Sequence, residues 1–237
     1  MTTAAGDYSD WRSIDYQPAS YFLPDDLLSF VAQGQSVLDI GCGSGESTIF
    51  LARRGLRLLG VDINPRAIAA AAQTARANDL NSVVQFQVAD ILHERDLGSF
   101  DVVLMIRMLT CLPSPDDWQL ALERAYASLV DGGIVYVHDF CYSPRNAEYH
   151  ERYDEATRLN WRPGNFAVRD TFGKIMFVAH HHTQDELRRI MAPYETLRLR
   201  IHEGLSMHGN PVEMLEFLGR KPTEKRLLPD ADLNAVD

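Results

Sequence analysis

Residues 37 to 47 read VLDIGCGSGES, and this stretch restricts the chain more than any other. VLDI suits the end of a buried strand and runs straight into glycines at 41, 43 and 45. Glu46 then opens a segment with helical apolar spacing at Ile49, Phe50 and Leu51. A strand that turns sharply into a helix presents unpaired amide N–H groups and the positive end of a helix dipole. These lie at the carboxyl edge of a sheet, where doubly wound folds bind ligands. Glycines in such a turn remove Cβ atoms and let a ligand approach the main chain, and the same glycines also suit tight packing of strand on helix.

Strands and helices alternate from there. Leu56 to Asp62 reads as a second strand, with Asn64 as the cap and Pro65 in the first turn of an Ala-rich helix. Val83 to Asp90 and Phe100 to Arg107 read as the third and fourth strands. Ser114-Pro115 opens a helix, Asp131-Gly132-Gly133 turns the chain, and Ile134 to Phe140 makes a fifth strand. This order predicts an α/β fold, doubly wound and Rossmann-like, with a mostly parallel sheet and right-handed crossovers.

After residue 140 the pattern changes. A helix is expected near Asn146 to Asn160 and a strand over Lys174 to His182, and Thr183 and Glu186 have the spacing of a capping box. Glu195 to Ser206 and Val212 to Arg220 read as an antiparallel pair at one edge, joined by HGNP, which completes a seven-stranded sheet with an antiparallel edge strand. The expected organisation is an N-terminal helical lid over residues 1–35, one domain over 36–220 with an insertion at about 141–173, and a flexible tail over 221–237.

A chain of 237 residues suits one such domain. Its formal charge of -10, from 33 acidic and 23 basic side chains, disfavours a phosphate-neutralising surface, so no nucleic acid partner is expected. MTTAAGDYSDW lacks the basic start and apolar run of a signal peptide, and no apolar stretch is long enough to span a bilayer. A cytoplasmic protein with no membrane association is the expectation. Cys42, Cys111 and Cys141 form no CxxC pair, which argues against a disulfide framework and a structural zinc site; no metal is expected.

Acidic residues recur at the strand ends. Asp39 lies just before the glycines, Asp62 ends the second strand at a position suited to a ribose diol, and Asp90 ends the third in VADI. Phosphate is poorly served by Asp39 and Glu46 beside the loop, whereas a cationic or zwitterionic nucleoside tolerates them. At these residues the sequence resembles the class I S-adenosylmethionine-dependent methyltransferases: VLDIGCGSG at 37 to 45, VDINPRAI at 61 to 68, VAD at 88 to 90 and FDVVLMI at 100 to 106. The resemblance covers about residues 34 to 140. It implies S-adenosylmethionine as cofactor, with Gly41, Gly43 and Gly45 around its amino-acid part and Asp62 on the ribose. It further implies Ile63 against the adenine, Asp90 and Ile91 at the adenine edge, Asp39 near the loop or the ammonium group, and Arg107 with Met108 at the methionyl end.

The acceptor is less marked. By the same resemblance, the absence of an Asn-Pro-Pro-Tyr segment after the fourth strand favours a small-molecule substrate. Tyr8, Trp11, Tyr16 and Tyr21 suit either a lid over a sulfonium or ordinary packing. Asp139 and Tyr142 follow from the end of the fifth strand in VHDFCY; Asp139 either holds an acceptor or is simply solvated. Tyr149, Tyr153, Trp161 and Phe166 fall in the insertion, where substrate specificity is expected. His180, His181 and His182 alternate faces along a strand and so cannot share one ion, while one of them, His182, is a candidate general base. Three functions stay open: methyl transfer to a small metabolite, cyclisation of the cofactor's methionyl chain to azetidine-2-carboxylate with release of methylthioadenosine, and a non-catalytic cofactor-binding module. The oligomeric state is not readable from the sequence.

Overall fold

The computed structural model describes residues 11–12, 23, 25–94, 96–147, 149–205 and 211–223. Strand β1 (Ser36–Ile40) is buried on both faces, which requires neighbours on either side. It pairs in parallel with β2 (Arg57–Asp62) and with β4 (Phe100–Ile106). Outside these, β3 (Val84–Val88) runs parallel to β2, and β5 (Leu129–Phe140) parallel to β4. The far edge holds β9 (Pro211–Arg220), antiparallel to β5, and then β8 (Glu195–Leu205), antiparallel to β9. The seven-stranded order is β3-β2-β1-β4-β5-β9-β8.

The register decides where function can sit. Ile40 lies opposite Val61 and Met105, Asp62 opposite Val88, and Met105 opposite Val137, so the carboxyl ends of five parallel strands reach one edge. Side chains on one face (Leu38, Val103, Met105, Val135, Val137) pack with Trp118, Ala121 and Leu122 of α4 (Pro115–Ala127) and with Leu187 of α6 (Gln184–Ile190). The other face (Val37, Val102, Leu104, Tyr136) meets Leu27 of α1 (Asp25–Leu28) and Leu51 of α2 (Glu46–Ala52), and Leu23 joins them. Helix α3 (Pro65–Ala77) opens as its sequence dictates, with Pro65 in the first turn and the Asn64 side chain accepting from the amides of Arg66 and Ala67.

Three features differ from the sequence reading. Asp131-Gly132-Gly133 does not end one element and begin another. It lies inside β5 as an irregularity, where the register against β4 shifts between Phe100 and Val102 and Gly132 adopts φ +77. A strand absent from that reading, β6 (Asn165–Arg169), pairs with β7 (Ile175–His180) as a separate two-stranded sheet beyond α5 (His150–Arg158). The tail is also tied down at its start, since Lys221 donates through Nζ to the carbonyls of Tyr126 (3.1 Å) and Leu129 (2.6 Å). Of the N-terminal helical lid expected over residues 1–35, the described residues contain 11–12, 23 and 25–35, in which α1 is the one α-helix. No helix among the described residues is long and apolar enough to cross a membrane.

Candidate active site

Gly41, Gly43 and Gly45 all have positive φ (+74, +54 and +82), so the turn after β1 needs residues without a Cβ on conformational grounds alone. Packing adds to this. A Cβ on Gly41 would stand 2.5 Å from Cγ of Met108, and one on Gly45 would stand 2.7 Å from Cζ of Phe86 and 3.1 Å from Cβ of Ala71. The expectation of unpaired loop amides is corrected by the hydrogen bonds. The N–H groups of Gly41 and Cys42 donate to the Val61 carbonyl (2.8 and 3.0 Å), that of Gly45 to the Cys42 carbonyl (2.9 Å), and that of Gly43 to Oδ2 of Asp62 (2.9 Å).

A cleft opens where this loop meets the ends of β2, β3 and β4. Its walls include Asp39, Gly41, Cys42, Glu46, Val61, Asp62, Ile63, Ala89, Asp90, Ile91, Ile106, Arg107 and Met108, and Trp11 also lines it. Four carboxylates therefore face one mostly apolar space, and among the described lining residues Arg107 is the single cation. Such a donor set suits a ligand with a cationic centre, hydroxyls and an apolar ring, and it repels a polyphosphate.

Each carboxylate is held differently. Asp39 is buried and accepts from Oγ1 of Thr48 in α2 at 2.6 Å, which ties the helix to the strand. Burial pushes its pKa up to about 7; the Thr48 bond opposes this, and Asp62 and Glu46 add to it. Asp62 accepts from the amides of Asn64 (2.8 Å) and Gly43 (2.9 Å), one on each oxygen, and burial raises its pKa against these two bonds. Asp90 accepts from the Leu92 amide through Oδ1 at 3.1 Å, while Oδ2 meets Arg12 at 3.1 Å and the His93 ring at 3.0 Å. Arg107 has φ +54, rare for a residue with a side chain, and donates its N–H to the His138 carbonyl at 2.7 Å.

The catalytic candidates fare differently from the cofactor candidates. Asp139 is fully buried and does not line the cleft. Its carboxylate accepts from the amides of Thr110 (2.9 Å) and Phe140 (2.8 Å), bracing the 3-10 turn Leu109–Cys111, whose Cys111 does line the cleft. Burial pushes Asp139 up to about 7, with its amide bonds and Arg107 opposing. Its contacts brace the turn beside the cleft rather than face the space itself.

His182 is likewise corrected as a base for a ligand in the cleft. Its ring is fully buried outside the cleft lining, 4.7 Å from Trp118 and 4.6 Å from His180 between ring centres, and burial drives its pKa well down. The other two histidines are also structural: His180 meets Oδ1 of Asn165 through Nδ1 at 2.7 Å, and His181 meets the Tyr153 hydroxyl at 2.7 Å. The capping box that follows is formed as expected, with the Glu186 amide donating to Oγ1 of Thr183 and the Thr183 amide to Oε2 of Glu186.

Tyr142, Tyr149 and Tyr153 do not line the cleft. They pack together with Phe140, Phe166 and Phe177, Tyr142 edge-on to Tyr153 at 4.8 Å and Tyr149 edge-on to Phe166 at 5.3 Å. Tyr16 and Tyr21 lie outside the described residues. Trp11 is the N-terminal aromatic that the structure places at the cleft: its ring centre is 4.2 Å from that of Phe177, and its carbonyl accepts from Nδ2 of Asn64 at 3.0 Å. Sequence reasoning did not single out Asn64 beyond its cap, although a cap residue at the end of β2 necessarily borders the cleft. All three cysteines are free thiols, and no cluster of metal-ligating side chains occurs among the described residues.

A model described as a methyltransferase domain matches residues 38–135. A ubiquinone biosynthesis O-methyltransferase from Xanthomonas campestris pv. campestris (strain B100) is 35% identical over 130 residues, covering 52% of this chain and 47% of that protein. A magnesium-protoporphyrin O-methyltransferase from Rhodobacter capsulatus is 36% identical over 111 residues, covering 46% of each. The matched stretch thus spans less than half the length of these curated relatives. Among solved structures, a SAM-dependent methyltransferase from Methanosarcina mazei superposes with a TM-score of 0.80 at 28% identity, over 85% of this chain and 99% of that one. In its strand order and in the acidic cleft behind the glycine loop, the chain is thus similar to the class I S-adenosylmethionine-dependent methyltransferases.

Proposed function

We propose that this protein transfers the methyl group of S-adenosylmethionine to a small-molecule acceptor. The observation that carries the reading is the cleft itself, in which Asp39, Glu46, Asp62 and Asp90 converge from successive strand and helix ends on an otherwise apolar space. The residues present fit the cofactor. Asp62, already oriented by two amides, would hold the ribose hydroxyls; Ile63 and Ile91 would flank the adenine and Asp90 its edge. Asp39 and Glu46 would favour the cationic end, with Gly41 and Arg107 beside the methionyl chain.

When bound, this cofactor supplies a methyl carbon that is already electrophilic, so alignment of the acceptor is the main task left to the protein. Cys42 and Cys111, the thiols at the cleft, are pushed well up by burial and stay protonated, which favours direct transfer over a route through a protein nucleophile. Acceptor selection is assigned to the region where Trp11 joins the cleft to the aromatic cluster of Phe140, Tyr149, Tyr153, Phe166 and Phe177. That setting suits a planar or apolar metabolite. Cyclisation of the methionyl chain would need Asp139 or Tyr142 beside the cofactor amine, and neither lines the cleft.

Calorimetric titration with S-adenosylmethionine and S-adenosylhomocysteine tests the reading. Saturable binding of both at one site per chain, competed by neither ATP nor NAD, is expected. Absence of binding by either would overturn it.

A further inference from the structure

The glycine loop is usually expected to offer main-chain donors to a ligand, yet here four of its amides are already engaged with Val61, Cys42 and Asp62. The cofactor proposed above carries a carboxylate, and it would have to enter a cleft walled by four others. Such a group needs donors from side chains. One donor at the cleft is left over among the described residues: Nε1 of Trp11 is shielded from solvent and has no hydrogen-bond partner there. A buried N–H left unmade is unfavourable, and native structures rarely tolerate one without a ligand or water to meet it.

The ring that carries this donor is held in place from three directions. Its carbonyl accepts from Asn64, its indole rests against Phe177, and the next residue, Arg12, reaches Oδ2 of Asp90. Trp11 is therefore positioned without help from its own N–H, which stays available.

We infer that Trp11 is a cofactor-binding residue whose indole N–H donates to the methionyl carboxylate. The inference rests on the cofactor reading of the same cleft. It gives Trp11 a chemical role in addition to lining the cleft, and it makes the carboxylate, rather than the ribose or the adenine, the part of the ligand that its indole recognises.

The test compares wild type with Trp11→Phe, which keeps an aromatic ring against Phe177 but deletes the donor along with part of the indole's bulk, a loss that the second ligand controls for. Both proteins are titrated by calorimetry with S-adenosylhomocysteine and with its decarboxylated analogue S-adenosyl-3-thiopropylamine, after their unfolding midpoints have been compared. Loss of a hydrogen bond to a charged group corresponds to roughly ten- to hundred-fold weaker binding. W11F should weaken S-adenosylhomocysteine by that factor and leave the decarboxylated analogue unchanged. Equal weakening of both ligands would mean that Trp11 acts only as a wall, and no weakening of either would mean that the N–H meets no ligand; each result overturns the inference while the cofactor reading stands. If wild type binds neither ligand, the cofactor reading fails first and the inference falls with it.

Discussion

Gly41→Ala probes the join between the glycine loop and the segment after β4. The new Cβ would stand 2.5 Å from Cγ and 2.9 Å from Cβ of Met108, whose side chain is buried and lines the cleft. The backbone at φ +74 adds about 1–2 kcal/mol for any residue with a Cβ, and forcing a methyl into a packed site adds about 1–3 kcal/mol. The single substitution should therefore destabilise by roughly 2–5 kcal/mol. Met108→Ala removes the Cγ contact at 2.5 Å but keeps the Cβ contact at 2.9 Å, so only part of the clash disappears.

Urea unfolding followed by circular dichroism on the four members of this double-mutant cycle measures the coupling. G41A should destabilise the Met108→Ala background by roughly 1–2 kcal/mol less than it destabilises wild type. Additivity within about 0.5 kcal/mol would refute the claim that Gly41 is required by close approach to Met108, leaving the backbone conformation as its sole reason.

Further outcomes follow from the site. Asp39 has an ordinary pKa of 3.8 that burial moves to about 7, so the folded state holds a proton which the unfolded chain has released across pH 4 to 7. Its contribution to stability is therefore lost as pH rises through that window, by up to about 4 kcal/mol. Asp39→Asn should gain stability relative to wild type between pH 5 and 8 in parallel urea titrations, and a pH-independent difference would contradict the burial argument. The same carboxyl, once ionised, favours a cationic ligand, so S-adenosylmethionine affinity in wild type should rise across pH 6 to 8 and do so less in Asp39→Asn, as read by calorimetry.

Asp62→Ala should weaken S-adenosylhomocysteine by roughly ten- to hundred-fold, and unchanged affinity would remove the ribose assignment. Asp139→Ala orphans the amides of Thr110 and Phe140, each worth about 1–3 kcal/mol. It should lower thermal stability measurably at pH 6, and a variant as stable as wild type would show that the turn does not depend on it.

Much of the placement of residues around the cleft was legible because local chemistry fixes it. Asn64-Pro65 specifies its helix start, Thr183 and Glu186 specify theirs, and a carboxylate at each strand end reaches the same edge once the strands are parallel. What strand position does not give is the face. Asp139 and His138 are neighbours on β5 with opposite orientations, and only the packing of the turn at Leu109–Cys111 decides that Asp139 braces it from behind. His182 failed as a base for the same reason, its side chain going into the core beside Trp118.

The strand β6 was missed because NFAVR is short and follows a polar stretch. A signal was present in DTFGK, since Oδ1 of Asp170 accepts from the amides of Phe172 and Lys174 (2.9 Å each) and Gly173 takes φ +82, which together close a hairpin. Lys221 lay in a polar tail whose hydrogen bonds to the end of α4 and start of β5 connect residues far apart in the chain, beyond the reach of local patterning.

The central claim is that the bound cofactor loses its methyl group to a separate acceptor. Purified protein incubated with methyl-deuterated S-adenosylmethionine, first alone and then with a metabolite extract, gives the direct measurement by mass spectrometry. The account expects the cofactor to survive alone and, on addition of extract, to yield S-adenosylhomocysteine together with one metabolite heavier by a deuterated methyl group. Methylthioadenosine and azetidine-2-carboxylate formed without extract, above the spontaneous background, would contradict it.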